Sequence, residues 1–132
     1  MSQIYSRPRA KQLIDYNGLE WGRCRPTDID MSIDFKGELF IFVEAKLGDA
    51  LLTTGQRLHL QGLVDGLRAG GKEAYAVFAN HSAADPEEDV IAADMTIRMV
   101  YDGSEWEAFP PVTLKKWMDI TKLAHDIRRE AV

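Results

Sequence analysis

The sequence predicts an α/β (α+β) fold with a mixed sheet, and three patterns carry that reading. Apolar and polar residues alternate strictly from Asp28 to Phe35. The apolar run "LFIFVEAK" follows after the turn "KGE", and the segments beginning near Thr53 and Thr113 place apolar residues at helical spacing. The resulting order is helix, strands, helix, strand, hairpin, helix.

Each element has a local cause. In "SRPRAKQLIDYNG", Ser6 is an N-cap, Pro8 occupies the first turn, and Asn17-Gly18 stops a short helix. "LEWGRC" suggests a brief strand. Ile29, Met31, Ile33 and Phe35 share one side of the next strand, while Asp28, Asp30, Ser32 and Asp34 form its acidic side. With "LFIFVEAK" this strand makes an antiparallel hairpin. A helix starts at Thr53 or Thr54, carries Leu60, Leu63, Val64 and Leu67 on one stripe, and ends at Gly70-Gly71. "EAYAVFAN" is apolar enough for a central strand, and "HSAADPEEDV" reads as a polar loop with one helical turn after Pro86. "MTIRMVYDGSEWEAF" folds back as a hairpin over Asp102-Gly103-Ser104. Thr113 caps a last helix with Leu114, Trp117, Ile120, Ala124 and Ile127 along its apolar stripe.

At 132 residues the chain has the size of a single domain. With 45% hydrophobic and 28% charged residues it can bury a core and is not disordered. No apolar run approaches the roughly 18 residues of a membrane span, and "MSQIYSRPRAKQ" has no apolar signal core, so a cytoplasmic protein without membrane contact is expected. The lone Cys24 excludes an intramolecular disulfide and a cysteine-based zinc cluster. The net charge of −5 argues against a surface that binds nucleic acid all round. Basic residues nevertheless gather locally: Arg7, Arg9 and Lys11, with Arg23 and Arg25, are the best phosphate-contacting set.

A three-residue turn at Lys36–Glu38 sets residues whose numbers sum to 74 opposite one another, pairing Asp30 with Glu44 and Asp28 with Lys46. Cβ atoms so paired lie roughly 4.5–5.5 Å apart. Glu44 and Lys46 also project to one face. Two carboxylates that close repel unless a proton or cation stands between them. Oxygen donors suit Mg²⁺ or Mn²⁺ rather than zinc. A neighbouring lysine can orient or deprotonate water attacking a phosphate. A two-residue turn would stagger these pairs, so Asp28, Asp30 and Asp34 all stay open as the hairpin's metal ligand.

Asp30, the hairpin, Glu44-Ala45-Lys46 and the Gln56-bearing helix together resemble the PD-(D/E)xK nuclease superfamily, over about residues 8–80. The stretch "DIDMSIDFKGELFIFVEAKLGDALLTTGQRLHLQGLVDGLRAGGKEAYAVFAN" is most similar to the small, phage-associated VRR-NUC branch and, less closely, to archaeal Holliday-junction resolvases. The resemblance implies a restriction-endonuclease-like αβββαβ core and a metal-dependent endonuclease that hydrolyses DNA phosphodiester bonds. Residues 81–132, with the later hairpin and helix, would be an elaboration of it. Asp30 and Glu44 would bind the metal with help from the Ala45 carbonyl, Lys46 would handle the water, and Gln56 would support Lys46. Duplex or branched DNA would be the partner, and several such nucleases are homodimers. The family's Pro-Asp pair is not contiguous here, since Thr27 separates Pro26 from Asp28. Glu20 is the nearest counterpart of a glutamate that often joins the family's metal site.

Two other function classes compete. The acidic balance suits a non-catalytic protein that keeps the nuclease fold and binds a host or phage nucleic-acid enzyme. A sugar- or nucleotide-binding domain would want a glycine-rich phosphate loop, which this sequence lacks. His59, His81 and His125 are scattered and read as surface or helix polar residues, Cys24 as a plain thiol, and "PEEDVIAAD" as a solvated acidic loop. Trp21 and Trp106 could stack on bases, whereas Trp117 and Tyr75 sit where packing explains them.

Overall fold

The computed structural model describes residues 15–131 of the chain. Of the first expected helix only the end falls among them: Asn17-Gly18 form a turn in which Gly18 has φ 91°. "LEWGRC" is not a strand. Its residues close on themselves in a single antiparallel bridge, Trp21 and Cys24 exchanging backbone hydrogen bonds of 2.9 and 3.0 Å around Gly22, whose φ is 64°. A chain turning on itself so tightly has no row of groups left to pair with a neighbour.

Five strands form one mixed sheet in chain order: β1 (Met31–Phe35), β2 (Leu39–Leu47), β3 (Glu73–His81), β4 (Thr96–Tyr101) and β5 (Trp106–Ala108). Only β2 and β3 are parallel, and they are connected through α1 (Thr54–Ala69), the crossover that parallel neighbours require. In the β1–β2 hairpin Lys36 and Gly37 both have positive φ, 59° and 72°, and the Glu38 N–H donates to the Phe35 carbonyl at 3.1 Å. That mirror-image turn matches the twist of the strands it joins. Asp34 Oδ1 accepts from the Gly37 N–H at 2.5 Å, which commits this aspartate to the turn.

The sheet separates two apolar clusters. Odd-numbered residues of β2, Leu39, Ile41 and Val43, pack with Val77, Ala79 and Ile97 against Leu114 and Trp117 of α2 (Leu114–Glu130). Even-numbered Phe40 and Phe42 turn the other way, toward Ala74, Ala76 and Tyr101 and the buried Leu60 and Val64 of α1. Both helices begin at the threonine their sequence offers: Thr53 Oγ1 accepts from the Gln56 N–H, and Thr113 Oγ1 from the Lys116 N–H. Gly70, the C-cap, and Gly71, with φ 85°, terminate α1. The short helical turn of the acidic loop falls at Ala92–Asp94 rather than directly after Pro86.

The stripe of α2 is rotated from the expected one. Leu114 and Trp117 are buried, but Ile120 and Ile127 are each 57% exposed and Leu123 is 61% exposed. His125, expected to be a surface or helix polar residue, is buried against Glu73, with Nδ1 2.8 Å from Oε1. The Glu73 carboxylate also takes the Arg128 guanidinium and, at 2.5 Å, the Tyr75 hydroxyl. Burial pushes the Glu73 carboxyl up, yet the hydrogen bonds from Arg128, Tyr75 and His125 outweigh it and hold the group down at about 2. With this partly buried acceptor on β3, a histidine and not an isoleucine of α2 faces the sheet. Tyr75 also meets Trp117 edge to face at 5.7 Å, so both residues pack in the interior as expected.

Candidate functional site

The site forms where the apolar face beneath α1 gives way to charge. Phe40 and Phe42 continue along β2 to Glu44, which is only 5% exposed, and then to the partly buried Lys46. A strand built to bury alternate residues therefore delivers a carboxylate to a position meant for an apolar side chain.

Asp30 joins it across the hairpin. The register pairs Met31 with Val43 and Phe35 with Leu39, so paired numbers sum to 74 and Asp30 continues the series opposite Glu44. Asp30 Oδ2 accepts the Ala45 N–H at 2.8 Å, fixing the carboxylate at the mouth of the hairpin. Asp34 is bound to the turn at the other end, and Asp28 Oδ1 accepts the Tyr16 hydroxyl at 3.0 Å. Of the three aspartates, Asp30 is the one beside Glu44.

The electrostatics follow from this crowding. Burial raises the Glu44 pKa, the charge of Asp30 and a hydrogen bond with it raise it further, and the Lys46 charge offsets only part; the group sits at about 7. At neutral pH the Asp30–Glu44 pair thus favours a proton, or some other positive charge, between its members.

Gln56 meets Glu44 from above. Its Nε2 donates to Glu44 Oε1 at 3.0 Å, and its Oε1 accepts the Thr53 N–H at 3.1 Å while Thr53 Oγ1 accepts the Gln56 N–H, a complete capping box. The Thr53 N–H needs an acceptor, so the amide orientation is fixed and its NH₂ must face Glu44. Gln56 therefore holds Glu44, where the resemblance implied support for Lys46.

Beyond Lys46 the polar row continues across the sheet. Asn80, the register partner of Lys46 on β3, is buried; its Nδ2 lies 3.4 Å from the Lys46 carbonyl and its Oδ1 accepts from Arg98 Nη1 at 2.9 Å. Neither residue stood out in the sequence. Only the polar end of "EAYAVFAN" at the carboxyl edge of a central strand could have pointed to Asn80.

Asp30, Glu44, Ala45, Lys46 and Gln56 thus come together at the carboxyl edge of the parallel strands. Glu20 is exposed and does not complete a trio: among the described residues no three His, Cys, Asp or Glu side chains gather as a metal cluster. Arg23 and Arg25 are exposed around the Trp21–Cys24 bridge, and Arg7, Arg9 and Lys11 lie outside the described residues. Trp106 packs on Tyr101 at 5.5 Å and donates to Gln61, whereas Trp21 is 68% exposed. Among the described residues no helix is long and apolar enough to cross a membrane. No protein-family model, curated protein or solved structure matches the chain.

Proposed function

We propose that the chain is a metal-dependent endonuclease of the PD-(D/E)xK kind, hydrolysing DNA phosphodiester bonds at the Asp30, Glu44 and Lys46 edge. The observation that carries this reading is the buried Glu44 set against Asp30 across the hairpin, with Lys46 on the same face. The arrangement from β1 to β3, a hairpin followed by a helix and a parallel strand, supports the later part of a restriction-endonuclease-like core. Carboxyl edges of parallel strands are also where open α/β sheets take their ligands.

The donor set fits Mg²⁺ or Mn²⁺, since it offers two hard carboxylates whose mutual repulsion a divalent cation relieves. Asp30 and Glu44 would hold the ion, with the Ala45 carbonyl between Glu44 and Lys46 as a further donor. When bound, such an ion supplies Lewis-acid stabilisation of charge on the phosphate. The protein's own groups do the rest. Gln56 keeps the Glu44 carboxylate in one orientation, and the Ala45 N–H does the same for Asp30. Lys46 holds the attacking water in line with the phosphorus and offsets negative charge accumulating on the phosphate oxygens.

The deciding experiment is cleavage of labelled single-stranded, duplex, flapped and four-way DNA with Mg²⁺ or Mn²⁺. Wild type is expected to cut at least one substrate, and EDTA and Lys46→Ala to abolish the cuts while the variant stays folded. A folded wild type that leaves the whole panel intact sinks the reading. The competing function, a nuclease-fold protein that binds another protein, draws on the exposed apolar row of Ile120, Leu123 and Ile127. In that case charged substitutions in this row would abolish partner capture and Lys46→Ala would not.

A further inference from the structure

We propose that Arg98 is a phosphate-binding residue that engages the nucleic-acid strand beside the bond held at Asp30, Glu44 and Lys46, and that the buried Asn80 aims it. The inference rests on the nuclease reading and adds to it a contact with the neighbouring phosphodiester.

Arg98 owes its position to an irregularity in the sheet. On β3, Phe78 pairs with Met99 and the next residue, Ala79, pairs with Ile97, so Arg98 is left without a partner on that strand. This is a β-bulge, a device that re-aims a side chain at the cost of one ladder position. Its backbone is still used, because the Arg98 carbonyl accepts the Phe109 N–H at 3.0 Å. The guanidinium bonds to Asn80, whose register partners are Lys46 on β2 and Thr96 on β4, so the Asn80 side chain links the Lys46 carbonyl to Arg98 across three strands. Adjacent strands are roughly 4.8 Å apart, so two spacings and the offset of Arg98 from Thr96 along β4 set the Lys46 and Arg98 backbones somewhat more than about 10 Å from each other.

Asn80 is the second observation. A side-chain amide only 7% exposed must be satisfied, and both of its ends are, by the Lys46 carbonyl and by Arg98. The arginine side chain keeps 42% of its surface in solvent, and its ion-pair partner among the described residues, Asp49, is a fully exposed carboxylate 3.9 Å away. So weak a pair leaves the guanidinium available to an anion. It opens on a groove of about 450 Å³ whose lining also carries Asp49, Glu88, Asp89 and Asp94. Like charge keeps a phosphate out of the groove itself, which leaves the side of the guanidinium facing Asn80 for it. A planar fork held by one hydrogen bond retains further donors for a phosphodiester.

The test is binding of short labelled single-stranded and duplex DNA in EDTA, followed by anisotropy over a range of salt concentrations. Arg98→Ala is expected to weaken binding about tenfold and to reduce the slope of log affinity against log salt by about one. Arg98→Lys should keep the slope and recover only part of the affinity, because the fork is lost. Asn80→Ala should weaken binding in the wild-type background and have no effect in the Arg98→Ala background, a pattern that general loosening of the sheet would not produce. The rise in melting temperature with Mn²⁺ should match wild type in every variant. If wild type binds or cuts DNA while Arg98→Ala retains its affinity and salt slope, this proposal is overturned and the nuclease reading stands. If Asn80→Ala costs as much without Arg98 as with it, the aiming role is overturned. A wild type that neither binds nor cuts any DNA overturns the nuclease reading, and this inference with it.

Discussion

Gln56 Nε2 lies 3.0 Å from Glu44 Oε1, and the same side chain closes the capping box at the start of α1. One residue therefore secures the start of a helix and fixes a carboxylate of the candidate site. Gln56→Ala should lower stability by about 1 kcal/mol, the typical worth of a lost cap, and should reduce cleavage as well. Urea unfolding and cleavage rates measured together check this, and a variant that loses stability but cleaves normally would show that Glu44 needs no such support.

Glu44 makes the metal-free protein sensitive to pH near neutrality. Its folded pKa, about 7, is above the unfolded value of 4.5, so stability present below pH 4.5 is lost as pH rises through 7. Glu44→Gln should abolish that decline and leave the variant more stable than wild type at pH 8 in EDTA, by on the order of 2 kcal/mol. Denaturant midpoints between pH 5 and pH 8 would decide it; parallel curves for the two proteins would sink the prediction.

Glu73 has the opposite sign. Its folded pKa of about 2 is below the unfolded 4.5, so the stability from its contacts is present above pH 4.5 and disappears as pH falls toward 2. Wild type should lose about 2 kcal/mol over that window, a value discounted because Arg128 is largely exposed. Glu73→Gln should flatten the acid limb and be less stable at pH 7. An acid limb equally steep in both proteins would assign the loss to other carboxylates.

A divalent cation should stabilise the folded chain through Asp30 and Glu44. At one hundred times its Kd, Mn²⁺ is expected to add about 2.7 kcal/mol to wild type and almost nothing to Asp30→Asn or Glu44→Gln. Thermal unfolding with and without Mn²⁺ reads this directly, and equal shifts in all three proteins would mean that the ion binds elsewhere.

Much of the fold was legible because it is written in local patterns. Strict alternation around Ile29–Phe35 and a three-residue turn fixed the register that joins Asp30 to Glu44, and Thr53 and Thr113 marked both helix starts. What escaped depends on partners distant in the chain. His125 is buried because Glu73, 52 residues away, draws it inward, and that contact leaves Ile120 and Ile127 in solvent. Gln56 turns to Glu44 because its other end already serves Thr53. The bulge that presents Arg98 comes from the pairing of β3 with β4, which periodicity within either strand does not reveal.

The turn at Lys36 and Gly37 holds the register of the hairpin. A change there that slid the pairing by one residue would send the Asp30 side chain to the face opposite Glu44, separating the two carboxylates without unfolding either strand. A slip of one residue is therefore enough to dismantle the site inside an otherwise intact sheet.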